Sequence, residues 1–359
     1  MTTTTRLAFS KAAFAVATLV LALLALAGCG PEVHTVSTQS SEKPTFAVTD
    51  TASSSSAAAS LPALDVTSGS SSTSSSSTSS ASSSASSASL PAASAPSAQL
   101  TQAVSEASAI SNASGMDIGI SVVDLPTGQR EGYLADEQMA SASMIKLAIA
   151  YAFLEQVAAG TAPSLNDYYT LQPSDIVGGT GVLGALGAGA QVTYGELLDK
   201  MISVSDNTGT NILIDEIGME AVNATARKLG LDATQLNRYM MDTDAIANGI
   251  ENYTSANDVA TLLQMAYEGS FVNPECSEVV MQTLEGQQDY NGILAGLPPD
   301  VAFAHKTGAL GTVRHDGGIV ECEHPYIVVT LCGGDGFYDQ GAMNAMAQIG
   351  SVTYDALVR

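Results

Sequence analysis

Beyond residue 98 the apolar positions recur with two alternating periods, and each period predicts a kind of element. Residues 99–112 read as a helix. Residues 116–124, MDIGISVVD, alternate as a strand does, Pro126-Thr127-Gly128 turns the chain, and residues 131–135 return. Residues 144–158 are apolar on nearly every side, which predicts a helix enclosed in a larger domain rather than lying on its surface. The spacing Thr193-x-x-Glu196 is that of a capping box, so a helix starts there and runs to about Ser203. Further helices are expected over 208–217, 220–229, 256–267 and 276–284, with Gly218 and Gly230 as C-caps. Strand character returns over 302–307, 317–322 and 326–332, and residues 342–358 make a final helix. Strands at both ends of a helical middle predict an α/β domain, its sheet interrupted in sequence by an all-helical lobe over about 160–290.

The first 97 residues follow another logic. Arg6 and Lys11 precede an apolar run over 12–27, broken only by Thr18, that ends in Leu26-Ala27-Gly28-Cys29. Small residues before a cysteine resemble the lipobox of bacterial lipoproteins, so residues 1–28 are expected to be a cleaved export signal and Cys29 to carry lipid. An uncleaved membrane span is the rival reading, for which the run is short of the roughly 20 residues required. Residues 29–97 are a Ser/Ala-rich tether with too few large apolar groups to offset the entropy of ordering. About 70 such residues reach about 45 Å, enough to let a domain over 98–359 sample the layer outside the membrane. A glycosylated stalk stays open as an alternative. The expected location is extracytoplasmic, lipid-anchored to the bacterial cell membrane.

Charge narrows the partners. Acidic side chains number 36 against 12 basic ones, for a net charge of −24, which argues against nucleic acid. An acidic surface favours a soluble monomer. The four cysteines are Cys29, Cys276, Cys322 and Cys332. With Cys29 lipidated the other three cannot all pair within the chain, and buried thiols are expected. His324-Pro325 should turn the last two strands into a hairpin, with Cys322 near Tyr326 and Cys332 at the far end. No Cys-x-x-Cys and no metal spacing among His34, His305, His315 and His324 point to a metal.

The chemistry sits in three short motifs. Ser143-Met144-Ile145-Lys146 fits Ser-x-x-Lys, whose spacing puts both side chains on one helix face. A serine hydroxyl becomes a nucleophile when a base takes its proton, and a lysine with a depressed pKa can be that base. Ser40-Ser41-Glu42-Lys43 fits too, but nothing in the tether would bury Lys43. Ser143 differs in standing at the start of an apolar helix, where free backbone N–H groups stabilise an oxyanion. Ser205-Asp206-Asn207 falls in a loop between helices, and Lys306-Thr307-Gly308 follows a strand. Taken singly, the first suits a helix cap and the second an edge strand before a turn.

In this order the three motifs resemble the signature set of class A β-lactamases and penicillin-binding serine hydrolases. The resemblance covers residues 100 to 359, including the passage Met201 to Thr208, Asn211-Ile212-Leu213-Ile214 and Ala295-Gly296-Leu297-Pro298-Pro299. It implies a β-lactamase-like α/β serine hydrolase, an antiparallel sheet flanked by helices plus an all-helical lobe, without metal or organic cofactor. Ser143 would attack the lactam carbonyl, Lys146 would help remove its proton, and Ser205 would relay a proton to the lactam nitrogen. Asn207 would hold the substrate amide. Lys306 would supply positive charge near Ser205 and the substrate carboxylate, and Thr307, next to Gly308, would bond that carboxylate. Backbone N–H groups of Ser143 and Ala309 would form the oxyanion hole, worth about 3–4 kcal/mol per donor. Arg314 lies where relatives place a second carboxylate-binding cation, or is a solvated loop arginine.

One departure bears on turnover. The resemblance calls for a glutamate after an Arg-aromatic pair, to activate the water that frees the acylated serine. Leu236-Asn237-Arg238-Tyr239 matches the approach, but Met240 stands where Glu is expected and Asp244 where Asn is expected. Asp242, Asp244 or Glu251 could substitute only within hydrogen-bond reach of that water. Acylation of Ser143 by a β-lactam followed by hydrolysis is the leading expectation. A D-alanyl-D-alanine peptidase acting on peptidoglycan stem peptides, or a penicillin-binding or sensing lipoprotein that stays acylated, is the alternative. Gly179-Thr180-Gly181-Val182-Leu183-Gly184 fits Gly-x-Gly-x-x-Gly without the βαβ context of a dinucleotide site, and reads as a flexible loop near the cleft. No Gly-x-Ser-x-Gly supports a Ser-His-Asp triad.

Overall fold

The computed structural model describes residues 96–359; the export-signal segment, Cys29 and all but the last two residues of the tether lie outside the described residues. The Ser97 hydroxyl accepts from the Leu100 N–H at 3.1 Å and starts α1 (Ala98–Ser114). A hairpin of β1 (Asp117–Asp124) and β2 (Gln129–Tyr133) follows, then β3 (Met139–Ala140) and a tight turn, Ala142–Ile145, into α2 (Lys146–Ala159). β4 (Tyr168–Thr170) pairs with β5 (Gln191–Thr193) ahead of α3 (Tyr194–Ser203), α4 (Asn207–Ile217), α5 (Met219–Leu229) and α6 (Thr243–Ala247). β6 (Tyr253–Thr254) pairs back to β3, and α7 (Ala256–Tyr267) and α8 (Pro274–Glu285) complete the helical part. The chain closes with β7 (Ala302–Leu310), β8 (Val313–Glu321), β9 (Tyr326–Gly333) and α9 (Asp339–Val358).

The main sheet has the order β2-β1-β9-β8-β7 with every neighbouring pair antiparallel. Its central strand shows why two helical layers are needed. Successive side chains on a strand point to opposite faces. Tyr326, Val328 and Cys332 pack with Leu100 and Ala103 of α1 and with Met346 and Ile349 of α9. Ile327, Val329 and Leu331 pack on the other face in the cluster that holds Ile149 and Phe153 of α2 and Val259 and Leu263 of α7. The apolar run of β9 therefore has no polar face to offer water. The stretch Ala142–Ala159 is apolar enough to cross a membrane, yet 72% of it is buried inside the domain, as in a core helix.

The capping box at Thr193 and Glu196 is present, and Gly230 ends α5 in the left-handed region at φ 71°. Among the boundaries that differ from expectation, three have a local cause. β2 begins two residues early, because Gly128 at φ 68° completes the turn and lets Gln129 pair with Asp124 at once; Leu134 at φ 48° then ends it. β8 begins at Val313 rather than 317, since the polar Arg314-His315-Asp316 is strand whose side chains are held by Asp289, the Ala140 carbonyl and His305. α2 begins at Lys146, because Ala142 at φ 44° forces a tighter turn ahead of it. The two short ladders and α6 are too brief to carry a period in sequence. The three described cysteines are free thiols, Cys276 and Cys332 buried and Cys322 half-buried.

Replacing Ile327, fully buried at mid-sheet, by Ala is expected to lower the unfolding free energy by about 2–5 kcal/mol in urea titrations. Tyr290→Ala, 71% exposed, should change it by less than about 0.5 kcal/mol. Equal losses would mean that β9 is not the centre of the core.

Candidate active site

The nucleophile segment is pinned from both sides. Met139 and Ala140 pair with Thr254 and Tyr253, and the Ser141 N–H donates to Asn252 O at 2.7 Å. On the sheet side, His315 Nε2 donates to Ala140 O at 2.7 Å. Burial pushes this imidazole down to about 4 against the opposing pull of its backbone hydrogen bonds, so it is neutral at physiological pH. β7 presses on the same turn: a Cβ at Gly308 would stand 3.1 Å from Ser143 N. A side chain at 308 would crowd the Ser143 turn, which glycine avoids.

Lys146 opens α2 with its side chain fully buried. Its Nζ donates to Ser205 O at 2.8 Å, Ser205 Oγ at 3.1 Å and Asn207 Oδ1 at 2.9 Å, which uses all three ammonium hydrogens. Ser205 presents both oxygens to the lysine from a left-handed backbone at φ 56°. Burial, then the charge of Lys306, pulls Lys146 well below the usual lysine range, against the opposing pull of Asp206.

Asp206 ties the lobe to the cleft. Its Oδ1 caps α4 by accepting from the Gly209 N–H at 2.8 Å, while Oδ2 accepts from the Val182 and Leu183 N–H groups at 2.6 and 2.8 Å. Thr180 Oγ1 donates to Ser205 O at 2.7 Å, and Asn207 Nδ2 donates to Gly178 O at 3.1 Å. A Cβ at Gly179 would stand 2.5 Å from Asn207 Nδ2, and one at Gly181 would overlap the Asp206 carboxylate. The glycine loop does border the cleft, but it is fastened to Ser205-Asp206-Asn207 rather than free, and its glycines serve that close approach.

Lys306 comes from β7, fully buried, with Nζ donating to Thr307 O at 2.7 Å. Burial lowers it to about 7 while Asp316 and Asp289 oppose the shift. Asp316 is itself buried, with Oδ1 2.8 Å from His305 Nδ1 and Oδ2 accepting from the Ile293 N–H at 2.9 Å. Arg314 pairs opposite Ala309 in the β7–β8 ladder and is held by Asp289 and Asp339, not left to solvent.

The cleft at Ser143 is lined by Asn207, Thr180, Ala309 and Leu310 and, from the loop after Leu236, by Met240, Met241 and Ile246. That loop is tightly built. Arg238, buried, pairs with Glu251 at 2.6 Å, and the Asn252 side chain accepts from the Asn237 and Arg238 N–H groups at 2.7 and 2.9 Å. Asn211 on α4 exchanges two hydrogen bonds with the Met240 backbone, at 2.8 and 3.1 Å. Asp242 is spent capping α6, Asp244 is exposed, and Glu251 is spent on Arg238. None of the three lines the cleft at Ser143, and among the described residues no other Asp or Glu lines it there.

Ser143, Lys146, Ser205, Asn207, Lys306, Gly308 and Ala309 are thus brought together, with Thr307 on the same strand and Arg314 one strand further out. Among the described residues no group of three or more His, Cys, Asp or Glu side chains could hold a metal. Sequence reading missed Asn211, Asn252, His315 and Asp289. Buried asparagines and a histidine within a strand were the available signals, but their partners lie far along the chain.

The model of the β-lactamase enzyme family matches residues 99–357. The chain is 27% identical over 220 residues to β-lactamase 1 of Bacillus cereus, covering 60% of this chain and 70% of that protein. It is 28% identical over 233 residues to the β-lactamase of Streptomyces albus G, covering 61% and 73%. A solved β-lactamase of Sphaerobacter thermophilus superposes with a TM-score of 0.65 at 27% identity, over 72% of this chain and 97% of that one. PBP-A superposes with a TM-score of 0.64 at 25% identity, over 70% and 95%. A match that runs through every element from α1 to α9, over a cleft that gathers the three motifs, establishes that the chain belongs to the β-lactamase enzyme family.

Proposed function

We propose that the chain is a penicillin-binding serine hydrolase in which a β-lactam acylates Ser143 and the acyl group leaves slowly. The observation that carries this reading is the lining of the cleft at Ser143: Met240 and Met241 belong to it, and no Asp or Glu among the described residues does. Removing an acyl group needs a base in reach of a water, and a thioether has no proton affinity to offer. Acylation needs none of what is missing. Lys146 in its neutral form takes the Ser143 proton, Ser205, already bonded to Lys146, passes it to the lactam nitrogen, and the N–H groups of Ser143 and Ala309 hold the oxyanion. Lys306 provides positive charge, with Thr307 and Arg314 at the outer end. PBP-A, one mutant of which is described as an acyl-enzyme complex with penicillin G, supports the reading. The natural acyl donor in this reading is a peptide of the peptidoglycan, its terminal group left open, met outside the membrane by a domain tethered through lipidated Cys29. The run Leu26-Ala27-Gly28-Cys29 supports the tether.

Intact-mass time courses with penicillin G should show a one-to-one adduct that persists, and none on Ser143→Ala. An adduct that vanishes as product accumulates would instead make the protein a β-lactamase. Met240→Glu should speed release by about 100-fold or more, the lower range of general-base catalysis. Because the base must be neutral, acylation should rise as pH increases through the Lys146 ionisation, well below the usual 10.5. A midpoint near 10.5 in the pH profile would remove Lys146 from that role. In cells fed an azide-tagged fatty acid, the wild-type chain should take up label and Cys29→Ala should not.

A further inference from the structure

The outer end of the cleft already holds a carboxylate of its own. Arg314 Nη2 lies 3.3 Å from Asp289 Oδ2, and Nη1 lies 3.5 Å from Asp339 Oδ1. Asp289 is also near enough to Lys306 to oppose the loss of its proton. One aspartate therefore serves both cations that the acylation reading assigns to a substrate carboxylate. Asp316, on the same ladder opposite Thr307, adds a further negative charge, paired with buried His305.

The placement of Asp289 is built. Gln287 Nε2 donates to Ile202 O and the Gln288 N–H to Ser203 O, both at 3.2 Å, which fastens the loop after α8 to the end of α3, two residues from Ser205. Gln287 Oε1 accepts from the Asp289 N–H at 3.2 Å. Asp289 Oδ1 is taken by Asn291, at 3.1 Å from its backbone and 2.8 Å from its side chain. Oδ2 is thereby left facing Arg314. An arriving carboxylate must displace it or settle beside it, and like charges in contact are strongly disfavoured.

We propose that Asp289 fills the anion subsite of this cleft, so that the site prefers acyl donors that are uncharged at that end, amides or esters rather than carboxylates. The inference rests on the acylation reading above and names the substrate class for it. Two thioesters of N-benzoyl-D-alanine test it, one with thioglycolate and one with thioglycolamide as leaving group. Each forms the same Ser143 Oγ–acyl bond as the C–S bond breaks, and the hydroxyl proton ends on the departing thiol, so only the leaving-group charge differs. The acylation constants are read by intact mass of the full chain.

Wild type should be acylated by the amide at least as fast as by the carboxylate. Asp289→Asn keeps the Oδ1 acceptor for Asn291 and removes the charge; it should raise the carboxylate-to-amide ratio about tenfold, the scale of one relieved like-charge contact. A change below about threefold overturns the inference, since discrimination would then not reside in Asp289. A penicillin adduct without either thioester adduct overturns this inference and leaves the acylation reading standing, and no adduct from any of the three overturns both.

Discussion

Two lysine side chains are enclosed in one cleft with no exposure to water, and much of the surrounding structure answers to that fact. An ammonium group taken out of water costs several kcal/mol unless its hydrogens are matched or its charge is given up. Lys146 has its three hydrogens matched, two of them by Ser205, which does this from a left-handed backbone. Lys306 has one carbonyl in reach and relies on the fields of Asp316 and Asp289. The two cations also repel each other, which favours the state in which one of them is neutral. A neutral amine beside a serine hydroxyl is what nucleophile activation requires.

The cleft is assembled from two layers that share no local sequence. The sheet contributes Lys306 to Ala309 on β7, the helical lobe contributes Ser205 to Asn207, and α2 runs from the turn that carries Ser143 into the core shared by both. Close approach does the joining. β7 can lie against the Ser143 turn because residue 308 has no Cβ, and the loop at 178–181 can lie on Asp206 and Asn207 because Gly179 and Gly181 have none. Asp206, with its two oxygens divided between α4 and that loop, turns these contacts into one rigid rim.

The loop that carries Met240 separates scaffold from chemistry. Arg238 with Glu251, Asn252 with the Asn237 and Arg238 amides, and Asn211 with the Met240 backbone hold the position whatever side chain stands there. Met240 therefore lines the Ser143 cleft by construction, with Met241 beside it, and the nearby acids at 242 and 244 turn their hydrogen bonding and exposure elsewhere.

The sequence by itself determined the elements with long periods, the layered fold class, the three motifs and the absence of glutamate at 240. These are local properties: a period needs only a run of neighbours, and a motif only a spacing of a few residues. The structure decided everything that depends on pairs far apart in the chain. Arg314-His315-Asp316 reads as polar loop until β7 and β9 are placed beside it and His315 meets Ala140, 175 positions away. The glycine run at 179–184 reads as a flexible loop until Asp206 is seen to accept the Val182 and Leu183 N–H groups. The acids at 242, 244 and 251 were equal candidates in sequence, and only their partners and exposure removed them. Asp289 carried no signal at all, because its meaning is the position of one oxygen relative to Arg314, and burial and distance exist only once the chain has folded.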